Sequence, residues 1–428
     1  MKRKLGQYSR GVSIIGVGCT PFMNILKNPE TEGLTESEMF AYAAIDAMKD
    51  AGIHPHDIQG YFHGQAGAIC SSDQNSANVH VNDWFGCKGL GSYAHSQACC
   101  TGYLALDLAA QAVASGKWDF VLSGCVDVGA CNFVPDMPAC YHEKLTTPVF
   151  QKNVERTYDR AYTRQFEAGQ SAQQDDFVNW YMKQYGLTFE QVDDGINGFA
   201  INNRHNAAGN ERALFRTEFA DLAKAAGCKD VWEYMRSDEH NPFVSRFLRR
   251  TGMEARADGA AACIVCPTEM AYEFTDHPIE VLGFGNSVIE AMTPHLEVYA
   301  TRESVRQVYE LTGLTGDDLD LLMANDFFMS SNLLAAEEAG YIPRGKAWEY
   351  ARDGRTAFDG DKPMNVNGGR CSFGHAHAAS GMADIFEVVR QMRGEAGERQ
   401  LQKRPEIAMV RGFGGSQNLC AGILKIAQ

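Results

Sequence analysis

The sequence predicts an α/β fold in which one α/β unit occurs twice, with an inserted segment between the copies. Residues 50–58 and 311–319 both end a periodic helix with glycine and then reach an Asp and an aliphatic residue just before a predicted strand. A length of 428 residues also exceeds one ordinary core. We therefore expect two halves related by a pseudo-two-fold axis, with corresponding helix starts facing one cleft.

The pattern of apolar residues predicts five elements in the first copy. An unbroken apolar run predicts a strand, and a period near 3.6 predicts a helix. The elements are a buried strand over 13–17, an amphipathic helix over 36–51, a strand at 60–63, a helix over 101–115 and a core strand over 119–124. The fourth carries Ala and Leu on every side, which indicates a helix buried all round.

A segment of different character separates the copies. Residues 126–257 are rich in aromatic residues, Arg, Gln and Asn at irregular spacing, and the stretch is too long for a simple connection, so we interpret it as an inserted lid or loop domain. The second copy supplies a helix over 302–311, a strand over 319–324, a helix over 380–393 and a strand over 406–410. The predicted domains are 1–125 with 258–280, the lid 126–257, and 281–428.

Composition excludes several classes of protein. With 45% hydrophobic and 22% charged residues the chain is typical of a globular protein. A formal net charge of −15 argues against a nucleic-acid partner, because phosphate contacts need clustered Lys and Arg. No apolar run is long enough to span a membrane, and no apolar stretch follows the basic first residues. We therefore expect a cytoplasmic protein with no membrane partner.

The chain has 13 cysteines, scattered through predicted core strands rather than spaced as a disulfide framework. Most should be inert buried thiols in a reducing compartment. The one C-x-x-C, from Cys263 to Cys266, lies in a predicted strand, whose period of two puts its thiols on opposite faces. No second pair with zinc spacing occurs, so we expect no metal site.

Two adjacent cysteines stand at the start of the buried helix of the first copy. Unpaired backbone N–H groups and partial positive charge at a helix start favour thiolate over thiol. Cys99 is therefore the candidate nucleophile and Cys100 its competitor. A structural role remains open for either residue, because cysteine is among the most buried residue types.

The corresponding loop of the second copy offers a base. Residues 365–375 are dense in glycine and end at His375. Such glycines permit a ligand to approach the backbone closely. A thiol and an imidazole facing one cleft make a nucleophile and its base.

These motifs resemble a known family, the thiolases, and most closely its sterol-carrier-protein branch. In chain order the matching segments are the C-x-S/T-G nucleophile loop at 99–102, the D-G-A-A strand at 258–262, the glycine–histidine loop at 367–376, and C-terminal segments at 393–397 and 412–415. Because the motifs occur in order over nearly the whole chain, the resemblance is more specific than any one of them.

The resemblance implies a thiolase fold, a duplicated α/β/α arrangement of five layers with an inserted lid, assembled as a homodimer. It makes Cys99 the acyl-accepting nucleophile and His375 the base that activates it. Asn325 falls where the family holds a catalytic water in an oxyanion hole. A second oxyanion hole is expected from the backbone N–H of Cys99 and one near Phe413 or Gly414.

The chain departs from the family pattern at the histidine loop and at the second catalytic cysteine. Ala376 replaces the proline after the active-site histidine. The two positions of the second cysteine, an acid–base group at the α-carbon, are here Arg411 or a neighbour, and Phe327. The candidates nearby in sequence are Cys371, Cys420 and His377, none of which lies on the family pattern.

The resemblance also implies a coenzyme A site beneath the lid. The stretch 246–250 is the densest local positive charge, and we expect Arg249 and Arg250 to bind the phosphates, since guanidinium groups bind phosphate in a bidentate manner. Gly368 and Gly369 are expected to let coenzyme A approach the backbone. Pairing of the arginines with surface acids is the alternative. Coenzyme A enters as substrate or product, and no covalently bound cofactor is expected.

Several functions are consistent with the resemblance. The first is a thiolase that cleaves or forms a β-ketoacyl-CoA, such as the aromatic benzoylsuccinyl-CoA, through acyl-Cys99. The alternatives are a multicomponent acyltransferase with a non-CoA acceptor, a retro-aldolase, and a non-catalytic subunit; Cys99 argues against the retro-aldolase. Similar members often pair with a small zinc-ribbon and OB-fold subunit, so we expect such a partner.

Overall fold

The computed structural model describes residues 8–25, 27, 31, 34–66, 76–87, 89–128, 170–288, 302–414 and 418–427. Two parts of the sequence-based predictions lie outside these residues: the first part of the lid, 129–169, and Gly415. The domain boundaries given above remain a prediction.

One nine-stranded sheet runs through the molecule, in the order β3-β2-β4-β5-β1-β6-β9-β8-β7. Its strands are β1 (Val12–Cys19), β2 (Gly60–Gly64), β3 (Gly91–His95), β4 (Val121–Val128), β5 (Asp258–Pro267), β6 (Ile279–Val288), β7 (Leu321–Ala324), β8 (Ile407–Gly414) and β9 (Asn418–Ile426). The two halves of the sheet meet at β1 and β6, through the pairs Ser13↔Glu280 and Ile14↔Ile279.

The strand pairing repeats from one half to the other. In each half the first strand pairs antiparallel with the last, β1 with β5 and β6 with β9, and the last pairs antiparallel with β4 or β8. The outer pairs, β2–β4 and β7–β8, are parallel. Even the bulge recurs, between Ile14 and Gly16 in β1 and between Val281 and Gly283 in β6. The predicted duplicated α/β fold is therefore confirmed.

Thirteen helices are described. They are α1 (Glu36–Ala51), α2 (Ala77–Phe85), α3 (Thr101–Ala114), α4 (Gln170–Tyr185), α5 (Phe189–Ala208), α6 (Phe219–Ala225), α7 (Val231–Arg236), α8 (Thr268–Ala271), α9 (Arg302–Thr312), α10 (Ser331–Glu338), α11 (Ala347–Arg352), α12 (Gly369–Ser372) and α13 (His377–Arg393). Helices α4 to α7 lie in the predicted lid, so its residues 170–236 are largely helical despite the irregular spacing of their aromatic and polar residues.

Two helices fill the centre of the molecule. Helices α3 and α13 pack against each other and against strands of both half-sheets, while α1 covers β1 and β5 from outside and α9 covers β6 and β9. At the crossing, a Cβ on Gly102 would lie 2.4 Å from the Met382 backbone nitrogen, so only glycine permits this approach. Helix α13 begins at His377, three residues earlier than the sequence predicts.

The C-x-x-C pair confirms the strand geometry. Cys263 packs in the central core between the half-sheets, whereas Cys266 packs in the outer core beneath α1.

Within the described residues, no group of three or more His, Cys, Asp or Glu side chains could hold a metal ion. In the same part of the chain, no helix is both long and apolar enough to cross a membrane.

A buried histidine in β2 makes stability depend on pH. His63 is 1% exposed, contacts the Tyr61 hydroxyl through Nδ1 and lies 3.4 Å from Gln65 Oε1 through Nε2. Burial is the largest cause that lowers the pKa of His63 to about 4. The unfolded chain, with a histidine pKa of about 6.5, therefore binds a proton between these values that the folded chain does not.

We expect this difference to cost stability as the pH falls from about 6.5 towards 4, by up to roughly 3 kcal/mol at the acid end. His63→Gln should therefore lose less thermal stability between pH 7 and pH 5 than the unsubstituted protein. His56→Gln, at an exposed histidine on the preceding turn, is the matched control. An equal loss in all three proteins would show that His63 is not the acid-sensitive group.

Candidate active site

Cys99 lies in a tight turn just before α3. Ala98 has φ 49°, in the left-handed region, and the Thr101 hydroxyl closes the turn by donating to Ala98 O at 2.6 Å and accepting from Gln97 N–H at 2.8 Å. The helix begins at Thr101, and the backbone N–H groups of Cys100 and Thr101 donate to Gln97 O and Ala98 O. Cys99 therefore precedes the helix rather than opening it, and the turn sets its direction.

The competing thiol is excluded by its surroundings. Cys100 is fully buried and donates through Sγ to Asn418 O at 3.2 Å. Burial is the largest cause that raises the pKa of the Cys100 thiol far above its usual value. Cys99, in contrast, is only partly buried, so it is the accessible thiol of the pair.

His375 faces Cys99. Its Nε2 lies 3.4 Å from Cys99 Sγ, and the residue is 1% exposed. On the other side of the ring, Nδ1 lies 3.3 Å from the Ser380 hydroxyl of α13. Burial, and after it the positive charges of Arg370 and Arg256 and the nearby His377, hold the pKa of His375 well below its usual value. At neutral pH the ring is therefore uncharged, and one of its two nitrogens carries a lone pair.

The start of α13 is fixed by the other half of the molecule. Asp127, in β4, accepts from the backbone N–H of Ala378 at 2.7 Å and from that of Ala66 at 3.1 Å. A carboxylate at a helix N-terminus satisfies unpaired N–H groups and matches the helix dipole. The contact holds the histidine loop against the half that carries Cys99.

Asn325 follows β7 and lies beside the end of β8. Its amide donates to Phe413 O at 2.6 Å and its backbone N–H to Arg411 O at 2.9 Å. Its Oδ1 is buried and has no hydrogen-bond partner among the described residues. The end of β8 also reaches the turn that carries Cys99. A Cβ on Gly414 would lie 2.9 Å from Gln97 O and 3.3 Å from Cys100 N. The structure thus brings these predicted site residues to the Cys99 turn.

Sequence reasoning missed Glu254. Its Oε2 lies 3.3 Å from His375 Nε2, and its Oε1 lies 2.6 Å from Arg256 Nη2. Burial raises the pKa of Glu254, and the charges of Arg256 and Arg370 oppose that rise. A single acidic residue in an apparently irregular lid carries no sequence signal, because only the folded path of the chain brings it to the histidine.

Comparison with known proteins identifies the family. Residues 285–424 match the model of the thiolase C-terminal domain-like family. The chain is 30% identical over 416 residues to the acetyl-CoA acetyltransferase of Methanothermobacter thermautotrophicus, covering 96% of this chain and 98% of that protein. The chain belongs to the thiolase family. It is an acyltransferase of that family.

Three further similarities extend this result. The chain is 27% identical over 420 residues to the benzoylsuccinyl-CoA thiolase subunit BbsB of Thauera aromatica, covering 95% of each. The solved Ltp2-ChsH2(DUF35) aldolase superposes with a TM-score of 0.72 at 22% identity, covering 97% of this chain and 98% of that one. Human mitochondrial 3-ketoacyl-CoA thiolase in complex with CoA superposes with a TM-score of 0.66 at 17% identity, covering 99% and 100%. The fold is that of a thiolase.

At the two positions where other thiolases carry the second catalytic cysteine, this chain has Arg411 or its neighbour, and Phe327. The Arg411 side chain is buried, and burial lowers its pKa to about 10. A Cβ on the neighbouring Gly412 would lie 2.9 Å from Cys100 Sγ, so Cys100 occupies that space. Phe327 stacks on Phe413, with ring centroids 5.7 Å apart.

Of the other candidates for that role, Cys371 and Cys420 are buried and His377 is partly buried. Burial is the first cause that raises the pKa of Cys371, to about 11, and that of Cys420, well above its usual value. His377 contacts the Arg256 guanidinium through Nε2, and burial, with Arg256, lowers its pKa to about 3. The two thiols are therefore enclosed by protein, and the His377 ring is held by Arg256.

The Cβ positions of the glycines in the histidine loop point at protein atoms. A Cβ on Gly368 would lie 2.6 Å from Ala207 Cβ, and one on Gly369 would lie 2.3 Å from Asn203 Nδ2 and 2.4 Å from Asp326 Oδ2. Both glycines are buried and have positive φ. Only glycine fits at these two positions, and their expected role as coenzyme A contacts remains a prediction.

Arg249 is likewise a structural residue rather than a phosphate ligand. It is 6% exposed, its Nε lies 3.2 Å from Asp193 Oδ2 and its Nη1 lies 3.0 Å from Asp238 Oδ1. The guanidinium also lies 3.9 Å from the Phe243 ring centroid. Arg250 is exposed and donates to His240 O at 2.7 Å. Of the two arginines, Arg250 remains the candidate for binding the phosphates of coenzyme A.

We expect Arg249→Ala to destabilise the protein by about 3–5 kcal/mol, because it leaves the buried Asp193 carboxylate unpaired. Arg250→Ala removes an exposed side chain and should leave the melting temperature unchanged. Thermal unfolding of the two variants at neutral pH measures the difference. Equal stability of both variants would contradict the structural role of Arg249.

Proposed function

We propose that this protein is a thiolase that transfers an acyl group between coenzyme A thioesters through a covalent acyl-Cys99 intermediate. The observation that carries the proposal is the approach of His375 Nε2 to Cys99 Sγ at 3.4 Å in a part-buried site. The uncharged imidazole accepts the thiol proton, and the thiolate attacks the thioester carbonyl.

The attacked carbonyl oxygen becomes an oxyanion, which needs fixed donors in a water-poor site. We assign this role to the backbone N–H of Cys99 and that of Phe413 or Gly414, at the place where β8 meets the Cys99 turn. We assign the second oxyanion hole to Asn325. Its amide already donates to Phe413 O, so it acts in this proposal through its remaining N–H or through a held water.

Coenzyme A is the proposed substrate and product, with no covalently bound cofactor. The relatives named acetyl-CoA acetyltransferase and benzoylsuccinyl-CoA thiolase subunit support a β-ketoacyl-CoA substrate, aromatic ones included. Arg250 is the proposed contact for the coenzyme A phosphates, since its exposed guanidinium can bind them in a bidentate manner.

Two protein partners belong to the proposal. A second copy would pair along β3, which is the edge strand beside β2 among the described residues and leaves Tyr93 47% exposed. A small zinc-binding OB-fold subunit is the other partner, supported by the solved pairing of Ltp2 with ChsH2(DUF35).

One observation favours a second candidate function, a retro-aldolase. The chain lacks a cysteine at Arg411, Gly412 and Phe327, and the structure named Ltp2-ChsH2(DUF35) aldolase shares its fold. A retro-aldolase breaks a carbon–carbon bond without an acylated cysteine, so the presence or absence of the adduct separates the two functions.

We expect Cys99→Ala to abolish the acetyl adduct that the unsubstituted protein forms with acetyl-CoA, because Cys99 Sγ is the thiol that lies 3.4 Å from His375 Nε2. Cys100→Ala should still form the adduct and is the matched control. Intact mass spectrometry after rapid acid quench, followed by peptide mapping, measures both. An adduct on Cys100, or none in the unsubstituted protein, would overturn the proposal.

A further inference from the structure

The carboxyl group of Glu254 shares a nitrogen with the nucleophile. His375 Nε2 lies 3.3 Å from Glu254 Oε2 and 3.4 Å from Cys99 Sγ. The side chain of Glu254 is 14% exposed, so it is enclosed without being sealed in the core. The thiol of Cys99 and the carboxyl group of Glu254 therefore both lie within 3.4 Å of the same imidazole nitrogen.

The backbone holds Glu254 at this place. Residues 255–257 run beside the histidine: His375 N–H donates to Ala255 O at 2.7 Å, and Ala257 N–H donates to His375 O at 3.1 Å. Ala255 N–H donates to Arg370 O at 2.9 Å. With the neighbouring residues bonded to the histidine loop, the carboxyl group is preorganised towards the imidazole.

The groups around Glu254 permit both of its protonation states. Arg256, 2.6 Å from Oε1, stabilises the carboxylate, and Arg370 acts in the same direction. Burial opposes them and raises the pKa of the carboxyl group. If His375 Nε2 carries the lone pair that accepts the Cys99 proton, a protonated Glu254 can donate its O–H to the same nitrogen.

We propose that Glu254 is the second acid–base residue of this site, and that it exchanges the substrate's α-carbon proton in place of a second cysteine. This inference rests on the proposed function. Its independent support is that Gly412 and Phe327 carry no ionisable group and Arg411 is buried, while the Glu254 carboxyl group lies 3.3 Å from His375 Nε2.

In the cleavage direction the proposed steps balance as follows. The Cys99 thiolate adds to the β-carbonyl, the Cα–Cβ bond breaks, and its electron pair forms the enolate of the departing CoA thioester. The O–H bond of Glu254 breaks and its proton forms the new C–H bond, which leaves a carboxylate beside Arg256. The incoming coenzyme A thiol returns a proton to Glu254, its sulfur takes the acyl group, and Cys99 leaves as thiolate.

Two half-reactions of acetyl-CoA test this role. Acetylation of Cys99, followed by intact mass, reports the nucleophile and its base. Deuterium uptake into the acetyl methyl group in D₂O, followed by NMR, reports proton exchange at the α-carbon. We expect Glu254→Gln to slow deuterium uptake by at least about 100-fold while slowing acetylation less than about tenfold, the range of general acid–base catalysis.

Two variants control the result. Glu254→Asp keeps the carboxyl group and should recover part of the deuterium uptake, which also provides a test if Glu254→Gln folds poorly. Glu211→Gln, at an exposed acid paired with Arg212, should leave both rates unchanged.

The outcomes separate the two proposals. No acetyl adduct in the unsubstituted protein would contradict the proposed function. An adduct without deuterium uptake, or uptake that survives in Glu254→Gln, would overturn the role of Glu254. Equal slowing of both half-reactions would also overturn it, because the carboxyl group would then act only through His375.

Discussion

The site depends on the contact between α3 and α13. Each half of the duplicated fold supplies one central helix, and they approach so closely at Gly102 that a Cβ would lie 2.4 Å from Met382 N and 2.5 Å from Ala378 O. A side chain at this crossing would force the helices apart. Because Cys99 lies just before one helix and His375 just before the other, the crossing sets the distance between sulfur and nitrogen.

A buried ionic network fixes the same two helices. Asp384, in α13, binds Arg370 Nη2 at 2.6 Å and accepts from the Tyr103 hydroxyl of α3 at 2.5 Å. Buried charges are costly unless they are paired and hydrogen-bonded, so the loss of one partner would leave the other charged and alone. The network therefore ties the histidine loop, through Arg370, to the helix that follows Cys99.

The sequence predicted the features that depend on local pattern. The apolar periodicity predicted helix α1 and the buried helix α3. The sequence motifs predicted the positions of the turn at Cys99 and of the loop that ends at His375. It could not predict which neighbours a residue meets after folding. Gly368 and Gly369 pack tightly against protein atoms, Arg249 turns inward to Asp193, and Glu254 reaches His375 from a distant segment. Each of these depends on long-range packing, for which one sequence holds no period or motif.

The central claim is that His375 activates Cys99, and the alkylation rate of Cys99 tests it most directly. The rate with iodoacetamide at neutral pH follows the fraction of thiolate. We predict that His375→Ala slows it by roughly tenfold or more, whereas His377→Ala, at a ring held by Arg256, changes it much less. An unchanged rate in His375→Ala, or a larger loss in His377→Ala, would contradict the account.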